Sequence, residues 1–482
     1  MQAQRLVIVS NRLPIAVETT PAGRRVVPGS GGLVTALGPV LGDRGGKWIG
    51  WLGASGVEET RSALAEASDS LGYELEPVEL TAEEIAGFYE GFANEVLWPL
   101  FHDFIPLCVF DPSYWPVYQK ANRKFAEATA AVIEPGDYVW IHDYHLMRVA
   151  AELRQMGVSH ELGFFLHIPF PSLDMFSKMP WRLQILEGLL DYDLVGFQTE
   201  RDLRNFCQCV AALIEGSSVH QSGDLVRIEA RGREVRAGAY PISIDYEDFV
   251  HRAVENPVSE LVARVRSQLP NRKLILGLDR LDYTKGIPER VRAYGLALER
   301  YPELRGNVTL LQVVIPSRTK VDEYQQLKNE IDRLIGSVGG RFSQAGWTPL
   351  QYLFRRLTEK ELLAYYRACD VALITPLKDG MNLVSKEYCA CSLEDNGVLI
   401  LSEFAGAAAQ LRNGALIVNP FDIEAVAEAI HEAVLMDPEE RRARMHPLRE
   451  SIRREDIYAW VESFLGAAET SRIELAAAGA TH

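Results

Sequence analysis

Short continuous apolar runs recur along the chain, separated by segments of amphipathic, helix-like pattern. Arg5–Val9, Asp137–Ile141, Leu162–Leu166 and Asp193–Phe197 lie in the first half. Lys273–Gly277, Val308–Ile315, Asp370–Ile374, Gly397–Leu401 and Ala415–Val418 lie in the second. Runs without polar alternation predict strands buried on both faces, hence parallel sheets covered by helices, and the fold class is α/β. Around residues 216–244 the pattern changes to a polar, Gly-containing hairpin type that ends in Tyr240-Pro-Ile-Ser-Ile-Asp245. That break predicts two Rossmann-like domains, 1–243 and 244–452. A helix near 453–467 would return to the first domain, and the Ala-rich stretch 468–482 would form a flexible tail. Parallel sheets of this kind bind ligands beyond the carboxyl ends of their strands, so two of them are expected to face a deep cleft.

Length and charge narrow the partners. A chain of 482 residues accommodates two or three domains, and 47% hydrophobic with 24% charged residues is the balance of a well-packed globule. The net charge of −16 argues against nucleic acid and anionic membrane as main partners, so any bound phosphate needs a local basic cluster. No apolar run approaches the roughly 20 residues that span a bilayer. The start Met1-Gln-Ala-Gln-Arg-Leu-Val-Ile leads directly into a strand, and a cytoplasmic homo-oligomer is the expectation. The cysteines, at 108, 207, 209, 369, 389 and 391, suit neither disulfides nor a zinc knuckle and read as reduced core thiols.

Polar groups collect at the predicted strand ends. After Val371–Thr375 comes Asp379-Gly-Met-Asn-Leu-Val-Ser-Lys-Glu-Tyr388, a strand emptying into a helix start. Asp379 and Asn382 are N-cap types, and Gly380 allows close backbone approach. The amides of Met381, Asn382 and Leu383 lack intrahelical partners and suit a phosphate. Glu387, about one turn on, is placed to grip ribose hydroxyls. Arg280 and Lys285, in Leu278-Asp-Arg-Leu-Asp-Tyr-Thr-Lys-Gly286, are cations at another strand's carboxyl end, and Arg318 repeats the arrangement on the next strand. In the first half, Arg12 follows the first strand, and Gly29-Ser-Gly-Gly-Leu33 precedes a helix, either as a phosphate cradle or as a flexible turn. Its spacing is that of neither a P-loop nor a dinucleotide fingerprint.

His142-Asp-Tyr-His-Leu146 and His167-Ile-Pro-Phe-Pro171 end two further strands. Their spacing lacks a zinc signature, and Asp143 with His167 reads as a sugar-hydroxyl site, with His142 and His145 in capping or core roles. Trp51, Tyr89 and Trp98 are aromatic candidates beside it, whereas Trp48 is expected in the core. Asp191-Tyr-Asp193 formally matches a metal motif but lies between a helix and a strand, as a cap and turn. No metal or cofactor is expected.

These segments together resemble the trehalose-6-phosphate synthases, retaining glucosyltransferases of the two-Rossmann-domain (GT-B) type. The likeness runs from Ser10-Asn-Arg-Leu-Pro14 to Asn419-Pro-Phe421. It includes Gly-Trp-Leu-Gly, Tyr-x-Gly-Phe-x-Asn, Leu-Trp-Pro, His-Asp-Tyr-His-Leu, Phe-Leu-His-Ile-Pro-Phe-Pro, Asp-Arg-Leu-Asp-Tyr-x-Lys-Gly, Pro-Ser-Arg and Asp-Gly-Met-Asn-Leu, in family order. The resemblance implies transfer of glucose from a nucleoside-diphosphate-glucose to glucose 6-phosphate with retention. It implies that Arg12, Tyr89, Trp98 and Arg318 hold the acceptor's phosphate, with Trp51 and Asp143 near the acceptor sugar. Arg280 and Lys285 would meet the donor diphosphate, with Gly31 and Gly32 closing on it. His167, Asp379, Gly380, Met381, Asn382 and Leu383 would form the donor-glucose site, Glu387 would bind the ribose, and backbone near Phe342 the base. Asp143, His167, Arg280, Lys285 and Asp379 are the implied catalytic group. Donor base, another phosphorylated acceptor (glycerol 3-phosphate or a cyclitol phosphate) and a non-catalytic sugar-phosphate sensor stay open.

Overall fold

The apolar runs become the inner strands of two sheets in the computed structural model, which describes residues 5–20, 23–29, 32–53, 61–223, 225–318 and 321–479. The chain divides into Met1–Ile242 with Trp460–His482, and Ser243–Ala459. The first unit contains β1 (Leu6–Arg12), a hairpin of β2 (Ile15–Thr20) and β3 (Gly23–Pro28), β4 (Gly46–Trp51), β5 (Glu74–Val78), β6 (Tyr138–His142), β7 (Leu162–Phe165) and β8 (Leu194–Phe197). It ends its strand series with β9 (Ser218–Ser222), β10 (Leu225–Ala230) and β11 (Arg233–Ala239). Nine of these form one sheet in the order β5-β4-β1-β6-β7-β8-β11-β10-β9. It is parallel from β5 through β11, and β10 and β9 add an antiparallel edge.

The second unit has β12 (Lys273–Arg280), β13 (Val308–Ile315), β14 (Leu350–Phe354), β15 (Val371–Ile374), β16 (Val398–Ser402) and β17 (Leu416–Val418), ordered β14-β13-β12-β15-β16-β17 and wholly parallel. Each sheet therefore starts in its middle and grows first to one side, then to the other. In the first unit the direction reverses between β1 and β6, in the second between β12 and β15. Such reversal points leave a crevice beyond the carboxyl ends, because the crossover helices on the two sides depart over opposite faces. In the second unit the opening is visible in the register. β12 pairs β13 over its whole length, but pairs β15 only at Ile275↔Val371 and Leu276↔Ala372.

The helix Ile457–Gly479 joins the first unit from Trp460 onward. Phe464 stacks on Trp140 of β6 at 4.4 Å and 9°, and Trp460 Nε1 donates to the Tyr240 carbonyl at 3.1 Å. Gly196 and Gly163 make this packing possible, since a Cβ on either would lie 2.7 or 3.0 Å from the Phe464 ring. The helix runs on through the first part of the Ala-rich stretch, as far as Gly479. Alanine is the strongest helix former, so an Ala-rich stretch prolongs a docked helix without a cap. Among the described residues no helix is long and apolar enough to cross a membrane.

Candidate active site

In the first unit, the site starts at a bulge. The register of β1 against β4 shifts between Val9 and Arg12, which turns the Arg12 side chain out of the sheet. Its guanidinium lies over the Trp51 ring at 3.9 Å and 5.4 Å from the Tyr89 ring. A cation stacked this way keeps its N–H edge for an anion such as a carboxylate or phosphate. Gly53 supplies the space: its φ is +83°, and a Cβ there would lie 1.7 Å from Arg12 Nη1. Tyr89 stacks in turn on His145 at 5.8 Å, and Trp98 packs on Tyr144 at 5.8 Å. Trp48 is in the core as expected, donating from Nε1 to Ser10 Oγ at 2.7 Å.

Across the reversal point, β6 ends in His142 and Asp143. Asp143 has φ 76° and ψ 165°, a conformation that only glycine adopts without strain, and strain of about 1–3 kcal/mol at a ligand crevice marks a functional position. Its Oδ1 accepts the His167 backbone N–H at 3.2 Å. His167 Nε2 lies 3.1 Å from His142 Nδ1, and its Nδ1 lies 3.5 Å from Gln198 Nε2, whose partner oxygen accepts from Ile242 N at 2.9 Å. Burial holds His167 down to about 3 and His142 well below the usual imidazole range, so both rings are neutral. Among the described residues, the Asn11 Oδ1, Trp51 Nε1 and His142 Nε2 atoms are buried without a hydrogen-bond partner. Buried polar atoms of this kind need a partner, which ordered water or a polar ligand can supply. Gly31 lies outside the described residues, and Gly32 begins the helix Gly32–Arg44.

In the second unit the residues after β12 form a tight turn at Tyr283–Lys285, closed by left-handed Gly286. A Cβ at Gly286 would lie 2.3 Å from the Thr375 carbonyl, so the turn sits backbone to backbone on the end of β15. Arg290, fully buried, ties the pieces together: Nη1 to Asp279 Oδ2 at 2.5 Å, Nε to Thr375 Oγ1 at 3.1 Å and Nη2 to the Lys285 carbonyl at 3.3 Å. Lys285 Nζ pairs with Asp379 Oδ2 at 2.6 Å, and Asn382 Nδ2 donates to the same oxygen at 3.1 Å. The helix itself is Leu383–Cys391, capped by Asn382 on Ser385 N at 3.1 Å. Of the two N-cap types, Asn382 caps this helix, and the Asp379 carboxylate is held by the lysine. The cap serves Ser385, and the first-turn amides before it have no intrahelical acceptor. The turn at Gly380 is pressed from behind, since a Cβ on Gly406 would lie 1.9 Å from the Gly380 carbonyl oxygen.

Arg280 is exposed at the end of β12, and Arg318, with φ 47°, donates to Tyr324 Oη at 2.7 Å. Tyr324 Oη is 3.4 Å from Asp282, which also accepts from Thr284 N at 3.0 Å. Burial alone would raise Asp282; Arg318, Arg280 and Lys285 outweigh it and hold the carboxyl below its usual range. Met381 is buried, and Glu387, in the next turn, accepts from Tyr366 Oη at 2.6 Å while burial lifts its carboxyl.

Phe342 does not join the others. It ends the helix Asp322–Phe342 and belongs to the same buried cluster as Ile275, Val308 and Leu350, at the amino ends of β12, β13 and β14. The helix after β13 runs back along the sheet, so its last residue is returned to the edge opposite the crevice. Its side chain is buried there. At the carboxyl edge the neighbour of β13 is Phe354, paired with Val314 and covered by Lys328 Nζ at 4.7 Å from its ring centroid. Asp279, Asp282, Arg290, Gln198 and Gly53 were not singled out from sequence. The Asp193 carboxylate is engaged by Arg154 at 2.7 Å, Arg233 at 3.0 Å and Leu162 N at 2.8 Å. Among the described residues no group of His, Cys, Asp and Glu could hold a metal.

Each unit thus offers one furnished crevice: aromatic and neutral polar groups around Arg12 in the first, a bonded set of charges beside a helix start in the second. Relatives match this chain over nearly its whole length. The trehalose-6-phosphate synthase of Mycolicibacterium smegmatis is 43% identical over 96% of this chain and 92% of its own. A bifunctional trehalose-6-phosphate synthase/phosphatase of Thermoproteus tenax is 42% identical over 96% of this chain and 63% of its own. Among solved structures, a UDP-forming alpha,alpha-trehalose-phosphate synthase from Burkholderia xenovorans in complex with glucose-6-phosphate superposes with TM-score 0.87 at 34% identity, covering 96% of this chain and all of that one. An E. coli structure bound with UDP-2-fluoro glucose does so with TM-score 0.86 at 37% identity, over 96% and 98%. Residues 4–470 match the description of glycosyltransferase family 20, and the chain belongs to that family.

Proposed function

We infer that this glycosyltransferase is an alpha,alpha-trehalose-6-phosphate synthase, moving glucose from a nucleoside-diphosphate-glucose to the anomeric oxygen of glucose 6-phosphate. The observation that carries the reading is the junction at β15, where Lys285, Asp379 and Asn382 are bonded together beside the open first-turn amides. That junction is built for a sugar diphosphate: amides and cations for the phosphates, a fixed carboxylate for the sugar. The donor is UDP-glucose, a choice supported by the UDP-forming relative and by the E. coli structure with a UDP-sugar.

In the reaction the bond from the glucose anomeric carbon to the diphosphate oxygen breaks, and a bond to the acceptor's anomeric oxygen forms. Negative charge grows on the departing diphosphate, where Lys285, Arg280 and the amides of Gly380–Leu383 stabilise it. The leaving phosphate oxygen takes the acceptor hydroxyl proton, and attack from the same face retains the configuration. Arg12 stacked on Trp51 and Tyr89 holds the acceptor's phosphate; Trp98 and Arg318 are assigned to that phosphate on the family resemblance alone. Asp143 and His167, the latter neutral, serve as hydrogen-bonding partners for sugar hydroxyls. No cofactor or metal is required in this scheme.

Incubation with UDP-, ADP- or GDP-glucose and glucose 6-phosphate is expected to give nucleoside diphosphate and an α,α-linked disaccharide phosphate, fastest with UDP-glucose and undiminished by a chelator. No disaccharide phosphate from any donor would overturn the reading. Since Arg12 reads a phosphate and not a sugar, a different phosphorylated acceptor is the second reading. Competition of glucose 6-phosphate against glycerol 3-phosphate and a cyclitol phosphate decides it.

A further inference from the structure

Residues Ile85–Leu97 form a π-helix, in which the Trp98 amide donates to the Ala93 carbonyl five residues back. Such winding is rare beyond a single turn and gathers at functional sites. Three contacts show what it achieves here. Tyr89 stacks on His145 at 5.8 Å, Asn94 Oδ1 accepts from Tyr144 Oη at 3.3 Å, and Trp98 packs on Tyr144 at 5.8 Å. All three side chains meet one turn, Tyr144–Leu146, that directly follows the strained Asp143. An α-helix advances about 100° per residue, which would set Trp98 about half a turn away from Tyr89. The wider i→i+5 winding brings residues 89, 94 and 98 onto one line instead.

Other contacts hold the segment in this form. Thr81 and Glu84 make a reciprocal cap, with Thr81 N to Glu84 Oε2 at 2.8 Å and Glu84 N to Thr81 Oγ1 at 3.2 Å. The Glu84 carboxylate also pairs with Lys124 at 2.7 Å and Lys120 at 3.1 Å on the helix Tyr114–Val132. Gly87 and Gly91 let that helix approach closely, since a Cβ on them would lie 2.9 Å from Val117 and 2.8 Å from the Tyr114 ring. The segment is therefore clamped on the Tyr114–Val132 side while residues 89, 94 and 98 meet the Tyr144–Leu146 turn.

We propose that Asn94 is a positioning residue for the acceptor pocket: by accepting the Tyr144 hydroxyl it locks the π-wound segment to the turn after Asp143, and so sets Tyr89 against Arg12. It acts through Tyr144 and need not touch substrate. The inference rests on the acceptor assignment given above. It is tested by steady-state kinetics of Asn94→Ala, Tyr144→Phe and the double variant, with circular dichroism and melting curves of each. Either single change is expected to raise the KM for glucose 6-phosphate roughly three- to tenfold, the worth of one ordinary hydrogen bond. The KM for the nucleotide sugar should stay unchanged, and the double variant should match the singles because both remove one interaction. Additive effects, equal losses for both substrates, or a lowered melting temperature with unchanged kinetics would each overturn it. A wild-type protein without activity on glucose 6-phosphate would instead defeat the functional reading on which it stands. Tyr144→Phe, which removes only a hydroxyl, keeps the test available if Asn94→Ala fails to fold.

Discussion

The crevices of the two units share a strand order and differ in how they hold charge. In the first, one exposed arginine lies on aromatic faces, and the histidines behind it are kept neutral by burial. In the second, charges are bonded to one another: Lys285 to Asp379, Arg290 to Asp279, Arg318 through Tyr324 to Asp282. Under the proposed assignment, the difference follows from what each must meet. A sugar phosphate that keeps its charge through the reaction needs recognition of hydroxyls and one anion. A diphosphate that gains charge as it leaves needs dipoles and cations already fixed, because fixed groups need no reorganisation as the charge develops. The buried Arg290 makes this possible, since it anchors both the Lys285 turn and the end of β15 without reaching the crevice.

The sharpest way to break the contrast is Lys285→Ala. Loss of a charge that matters most as the diphosphate departs should lower kcat by about 10³, with the KM for glucose 6-phosphate within a few-fold of wild type. An equal loss in acceptor affinity would merge the two roles. Arg12→Ala should do the reverse, raising the acceptor KM about 100-fold, as expected for a charge-assisted contact to phosphate, with a smaller change in kcat. Gly53→Ala tests the stacking itself. The new methyl group collides with the guanidinium at a left-handed backbone position, so a roughly tenfold rise in acceptor KM and a loss of about 1–3 kcal/mol in stability are expected from kinetics and denaturant melts. The smallest kinetic effect belongs to Glu84→Gln. Glu84 is lowered from 4.5 to about 2: burial works against this, and the bonds to Lys124, Thr81 and Lys120 prevail. A depressed carboxyl contributes stability that is complete above about 4.5 and is lost as pH falls toward about 2. The variant should therefore lose on the order of 2 kcal/mol near neutrality and show a flatter acid limb between those values, with kinetics little changed.

Much of this arrangement can be read before folding, for identifiable reasons. β1, β6, β7, β8, β12, β13 and β15 to β17 are continuous apolar runs because helices cover both faces. The crevice residues follow them at strand-to-helix punctuation such as Gly286-Ile-Pro288. β5 and β14 escaped notice as edge strands with mixed burial, and β4, Gly46–Trp51, because its glycines and lysine interrupt the pattern. Arg290 looks like any charged residue on an amphipathic helix. Its burial depends on Asp279 and Thr375, which the chain brings to it only through the sheet. The π winding is likewise invisible, since Ile85–Leu97 is apolar at too many positions to fix a period. The place of Phe342 in the sheet is equally hard to read, because the direction of a crossover helix decides which edge of a sheet its last residue reaches.

The division of labour between the crevices is tested most directly by calorimetric titration of two variants with two ligands. Arg12→Ala should weaken glucose 6-phosphate binding about 100-fold and leave UDP binding as in the wild type, whereas Lys285→Ala should weaken UDP binding and leave glucose 6-phosphate binding intact. Loss of both ligands in either folded variant would contradict the account.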